Sequence, residues 1–153
     1  MRKIVYGLLL LVAFFGFSVP NVSFAATNSV VFIGNELSRD LSVMHYDGSN
    51  LALHRKISMG GNPYEVVMSP DNSRVYVACA NTEKNQGIID IYDAKTYARI
   101  GRLPMADANG KSSPFSVVIT KDGKKLYASN RQDNRVYVYD LVNQKLSKVI
   151  DLK

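Results

Sequence analysis

Cysteine is almost absent. Cys79 is the single one in 153 residues, so no intramolecular disulfide can form and stability has to come from packing. It closes an apolar stretch and has no histidine beside it in sequence, which reads as a small buried thiol rather than a nucleophile. Histidine is nearly as scarce. His45 and His54 are the two present, with Asp47 the one carboxylate close to them, and they read as a surface pair facing each other across a hairpin, with no metal expected. A Gly-x-Ser-x-Gly elbow, a Cys-x-x-Cys pair and a phosphate-binding glycine loop are all missing, so no catalytic residue and no cofactor is expected. Helical periodicity is missing too.

The one long apolar run lies at the start. Arg2 and Lys3 precede Ile4 to Phe17, and the run ends in Ser18-Val19-Pro20-Asn21, the layout of a secretory signal peptide. It is shorter than the roughly 20 residues a spanning helix needs. Ser23-Phe24-Ala25 supplies the small residues a signal peptidase requires. Cleavage is therefore expected between Ala25 and Ala26, giving a signal peptide over 1–25 and an exported chain over 26–153, periplasmic or secreted from a bacterial cell. No cysteine lies near the cut, which excludes lipid anchoring. The chain carries 19 Lys plus Arg against 13 Asp plus Glu, and losing Arg2 and Lys3 takes the net charge from +6 to +4. Lys121, Lys124, Lys125, Arg131 and Arg135 fall in one stretch that reads as a solvated face. Nucleic acid is not an expected partner.

The remainder repeats itself. Asn62 to Val77 aligns without gaps on Ser113 to Ala128, and Ile89-Asp90-Ile91-Tyr92-Asp93 matches Val136-Tyr137-Val138-Tyr139-Asp140. An earlier copy appears as Leu41 to Asp47, so Tyr-Asp pairs begin at 46, 92 and 139. The last copy parses into four strands, at Ser116–Thr120, Lys125–Ser129, Arg135–Tyr139 and Lys148–Leu152, with a hairpin turn at Asp122-Gly123. Asp71-Asn72 occupies the same turn in the copy before. Asp47, Asp93 and Asp140 recur where the third strand ends, which suits Asx-type turns better than ligands. Four short strands in each unit of about 45 residues is what a propeller blade requires. Blades are expected at about 27–61, 62–112 and 113–153, the first lacking its innermost strand.

The sequence thus resembles the YVTN-repeat β-propellers, named for a Tyr-Val-Thr-Asn run on the second strand of each blade. Tyr127-Ala128-Ser129-Asn130 is similar to that run, as are Tyr76-Val77-Ala78-Cys79 and, more weakly, Phe32-Ile33-Gly34-Asn35. Ser69-Pro70-Asp71 is similar to the family's hairpin. The resemblance implies an all-β fold, a partial propeller of about three four-stranded blades. It does not select a function, because such propellers include exported proteins of unknown role, surface-layer-associated proteins, partner-binding modules, lactonases and amine-dehydrogenase-like subunits.

A closed propeller has 4 to 8 blades. Three blades therefore stand for a part of a longer product, an arc that closes by homo-oligomerisation, or a stable open arc. Two irregular segments interrupt the repeats, Ala80 to Gly87 and Ala106 to Ser113. The second, with Asp107, Asn109 and Lys111, is the preferred recognition loop, because propellers bind through loops at the blade ends around the central channel. The reading at this level is a binding or scaffold module for an unknown protein or small molecule, with a lactonase-like hydrolase or a dehydrogenase-associated subunit as the alternative.

Overall fold

The computed structural model describes residues 28–81, 86–105 and 112–152. The expected signal segment, its expected cleavage point at Ala25 and Ala26, and the loop residues Asp107, Asn109 and Lys111 lie outside them. All regular structure among the described residues is strand, and no helix there is long and apolar enough to cross a membrane.

Among the described residues eleven antiparallel strands form three sheets. Blade 1 holds β1 (Ser29–Asn35), β2 (Asp40–Tyr46) and β3 (Leu51–Ser58). Blade 2 holds β4 (Asn62–Met68), β5 (Arg74–Asn81), β6 (Gln86–Asp93) and β7 (Arg99–Met105). Blade 3 holds β8 (Pro114–Ile119), β9 (Lys125–Asn130), β10 (Arg135–Asp140) and β11 (Lys145–Asp151). Each sheet is a meander in chain order. The chain is thus a partial propeller whose first blade, among the described residues, begins at the second-strand position.

Face alternation sends successive side chains into different cores. Tyr76 and Ala78 of β5 join Ile89, Ile91 and Leu103 against Val117, Leu126, Ala128, Tyr137 and Tyr139 of blade 3. Val75, Val77 and Cys79 of the same strand face the other way, onto Leu41 and Met59. Blade 2 is therefore buried on both faces, which is why its strands carry near-continuous apolar runs.

In the last blade the strand ends fall within one residue of the sequence reading, and two strand starts differ by more. β8 begins at Pro114 rather than Ser116, because a proline is tolerated at the first residue of a strand and a bulge follows it. β11 begins at Lys145 rather than Lys148, because a register shift opposite Val138/Tyr139 interrupts the alternation that marks a strand in sequence. The Asp122-Gly123 turn is also wider than a two-residue hairpin. Thr120 N–H donates to the Lys125 carbonyl and Gly123 N–H to the Thr120 carbonyl, with Gly123 at φ 70°. Ser69 to Arg74 repeats that pattern, with Asn72 at φ 58°.

Candidate functional site

The two ends of the blades are built differently. At one end the chain turns within Asx-capped loops. Asp47 Oδ1 accepts the Ser49 and Asn50 N–H groups at 2.9 and 2.8 Å. Asp93 does the same for Lys95 and Thr96 at 3.0 and 2.7 Å, and Asp140 for Val142 and Asn143 at 2.9 and 3.1 Å. These bonds, led at Asp140 by a further one from the Asn143 side-chain amide at 2.7 Å, hold the carboxyls below the usual carboxylate range. The three repeated aspartates are turn residues.

A cleft of about 550 Å³ at this end lies between the Ser69–Arg74 and Thr120–Lys125 turns. Its acids are committed to backbone and hydroxyl partners. Asp71 accepts from Ser69 Oγ at 2.5 Å and from Ser73 N–H at 3.0 Å, which lowers its pKa to about 2.

The other end carries the segments linking blades, and three side chains converge there. In β4 the register jumps between Pro63 and Glu65, and in β8 between Pro114 and Val117. Tyr64 and Phe115 sit at these bulges, which turn a side chain out of the regular alternation. They occupy the same repeat position in successive blades. Their rings lie 5.4 Å apart, tilted by 45°, and Phe115 is 48% exposed. The Arg131 guanidinium stands 5.2 Å from the Phe115 centroid and 5.9 Å from that of Tyr64, within cation–π reach of both.

Local backbone chemistry fixes Arg131 there. The buried Asn130 side chain accepts the Ser113 N–H at 2.8 Å and the Gln132 N–H at 3.3 Å, while Arg131 N–H donates to the Ser113 carbonyl at 3.0 Å. The last residue of the Tyr-Ala-Ser-Asn run thus ties the loop after β9 to the segment entering β8. Glu65, next to Tyr64, accepts the Val117 N–H and links the inner strands of the two blades.

Of the residues singled out in sequence, Cys79 is buried as expected, and burial pushes its thiol up to about 11, which makes it a poor nucleophile. His45 and His54 do meet, with rings stacked 4.1 Å apart. The basic stretch does not form one patch. Lys121, Lys124 and Lys125 lie at the turn-capped end, whereas Arg131 lies at the other and Arg135 is 3.6 Å from Asp151 and 3.9 Å from Asp133. Tyr64 and Phe115 were not recognised as site residues from sequence. The signal was in the repeat alignment, which places an aromatic after the proline in both copies. Among the described residues no three His, Cys, Asp or Glu side chains converge to hold a metal.

Stacked four-stranded meanders around inner strands, with loops gathered at one end, define a β-propeller arc. The sequence profile of the family described as lactonase, seven-bladed β-propeller, matches residues 66–151, and the chain belongs to that family. Among solved structures it is similar to a candidate 6-phosphogluconolactonase from Bacteroides fragilis NCTC 9343, with a TM-score of 0.65 and 15% identity over 84% of this chain and 40% of that one. A candidate 6-phosphogluconolactonase from Bacteroides uniformis ATCC 8492 gives 0.61 and 24% over 79% and 37%. The C-terminal WD40 domain of Sif2 gives 0.64 and 14% over 82% and 34%. At these identities the likeness is one of fold. The chain spans 40% or less of the length of each of these three structures. No curated protein sequence matches.

Proposed function

We propose that this protein is an exported, YVTN-type member of the lactonase propellers that binds an anionic ring compound at the loop-bearing end of its inner strands. The observation that carries this reading is the Arg131 guanidinium over Tyr64 and Phe115. Two aromatic faces offer apolar area to the face of a flat or cyclic ligand, and the guanidinium presents paired N–H donors to a carboxylate or phosphate. The cluster lies at the end where the chain enters β8, the strand that Asp107, Asn109 and Lys111 precede in sequence. Binding without chemistry is the first reading, because the carboxylate beside the cluster, that of Glu65, is taken up by the Val117 N–H.

A second reading, hydrolysis of a sugar-acid lactone, is supported by the family membership and by the names of the two Bacteroides proteins. Calorimetric titration with gluconate, 6-phosphogluconate and glucose, beside a pH-stat assay with the corresponding lactones, separates the two. The binding reading expects the acids to bind and glucose not to, with Arg131→Ala weakening the acids at least tenfold, and no lactone turnover. Turnover abolished by Arg131→Ala favours the hydrolase. Equal, weak binding of all three ligands overturns both. Export is tested by sequencing the amino terminus of the periplasmic protein, which should begin at Ala26.

A further inference from the structure

At the turn-capped end, three rings from two blades meet. The register of β2 against β3 shifts between Val43 and Met44, Val43 pairing with Arg55 and Met44 with Leu53, which leaves His54 as the unpaired bulge residue. The bulge turns the His54 ring onto the His45 ring, centroids 4.1 Å apart and planes 9° from parallel. Tyr97 reaches across from the β6–β7 turn. It adopts a left-handed backbone, φ 63°, at the turn position that Gln144 fills in blade 3 with φ 50°. In both turns this residue leans over the preceding blade, Gln144 toward Gly101 of β7 and Tyr97 toward β2 and β3. Tyr97 Oη lies 3.0 Å from His45 Nε2, and its ring meets His54 edge-on at 5.5 Å. A cleft of about 380 Å³ opens beside them, lined by Asn28, Val30, His45, Tyr46, Asp47 and Tyr97.

We propose that His45, His54 and Tyr97 form a binding site for one divalent copper ion between blades 1 and 2. Metal–nitrogen bonds are about 2.0–2.1 Å, so two donors on one ion stand roughly 3 Å apart. That is the separation of His45 Nε2 and Tyr97 Oη. The two stacked imidazoles belong to exposed residues, so fanning the rings apart to bring a nitrogen of each onto a shared ion displaces no core atom. Imidazole suits copper, zinc and nickel, and with two imidazoles and one phenol oxygen supplied by protein, the metal at the top of the divalent affinity series is the one held. Water from the cleft completes the coordination. The chemistry proposed is binding only.

The experiment is a titration of the whole chain with cupric ion, read by calorimetry, by electron paramagnetic resonance and by thermal melting. The expected result is one ion per chain in the micromolar range, a hyperfine pattern from two nitrogens, and a raised melting temperature because the ion bridges two blades. His45→Gln and His54→Gln should each lose at least tenfold in affinity and show a single histidine nitrogen, and Tyr97→Phe should keep two nitrogens with weaker binding. Zinc should bind more weakly than copper. Binding that is unchanged in the His45→Gln/His54→Gln double variant, or absent from the wild-type chain, overturns the assignment. Circular dichroism of each variant checks that the sheet is intact.

Discussion

At Gly87 an added Cβ would stand 2.1 Å from Pro114 Cδ and 2.7 Å from Ser112 Oγ. The Gly87 N–H donates to Ser112 Oγ, which in turn donates to the Met105 carbonyl, so the chain crossing into blade 3 is fastened at this point. Gly87→Ala should cost about 1–3 kcal/mol, as overpacking of a close contact does. The check is a urea midpoint that falls while the m-value holds. Asp71 gives a pH test. Its folded pKa of about 2 lies below the usual 3.8, so its contribution is complete above pH 4 and is lost as pH falls toward 2. Asp71→Asn removes that titration. The variant's melting temperature, followed by circular dichroism between pH 5 and 2, should fall less steeply than that of the wild type.

At the scale of the element, paired strands decide which charges can be buried. Asp90 is 1% exposed, on the β6 face that turns toward blade 1 with Ile88 and Tyr92. Arg102, its cross-strand partner in β7, bonds it at 2.8 Å, and Arg99 stands 4.0 Å away. Removing the partner of a buried carboxylate costs more than removing a bystander. Arg102→Met should therefore destabilise by about 1–3 kcal/mol and Arg99→Met by less, compared by chemical denaturation at one pH. Bulges are the second device of the elements. The fourth strand of every blade carries one, with the paired strands shifting at Val43/Met44, Ile91/Tyr92 and Val138/Tyr139. In blade 1 the extra residue is a histidine, and that substitution within a repeated backbone feature creates the ring cluster.

For the whole molecule the cores lie between blades, not within them, so each blade depends on its neighbour. Blade 2 has both neighbours, whereas apolar residues stay exposed on blades 1 and 3. Val30, Val31 and Ile33 of β1 are 37–40% exposed, and Val118 of β8 is 60% exposed. Exposed apolar strand faces associate. We expect this chain to sediment as a concentration-dependent oligomer by analytical ultracentrifugation, and Val118→Lys to shift it toward monomer.

The repeat spacing, the Tyr-Asp pairs and the Asp-Gly and Asp-Asn turns were enough to read an all-β arc of blades from the sequence, because those signals are local. Turn residues act on their own neighbours, and alternation along a strand reports its two faces directly. The two histidines were legible as a cross-hairpin pair for the same reason. What only the tertiary structure decided was which side chains from different blades meet. Tyr97 over His45, and Arg131 over Tyr64 and Phe115, depend on bulges and left-handed turn residues. A bulge shifts pairing by one residue and a left-handed residue redirects one side chain, and neither leaves a mark in composition or period.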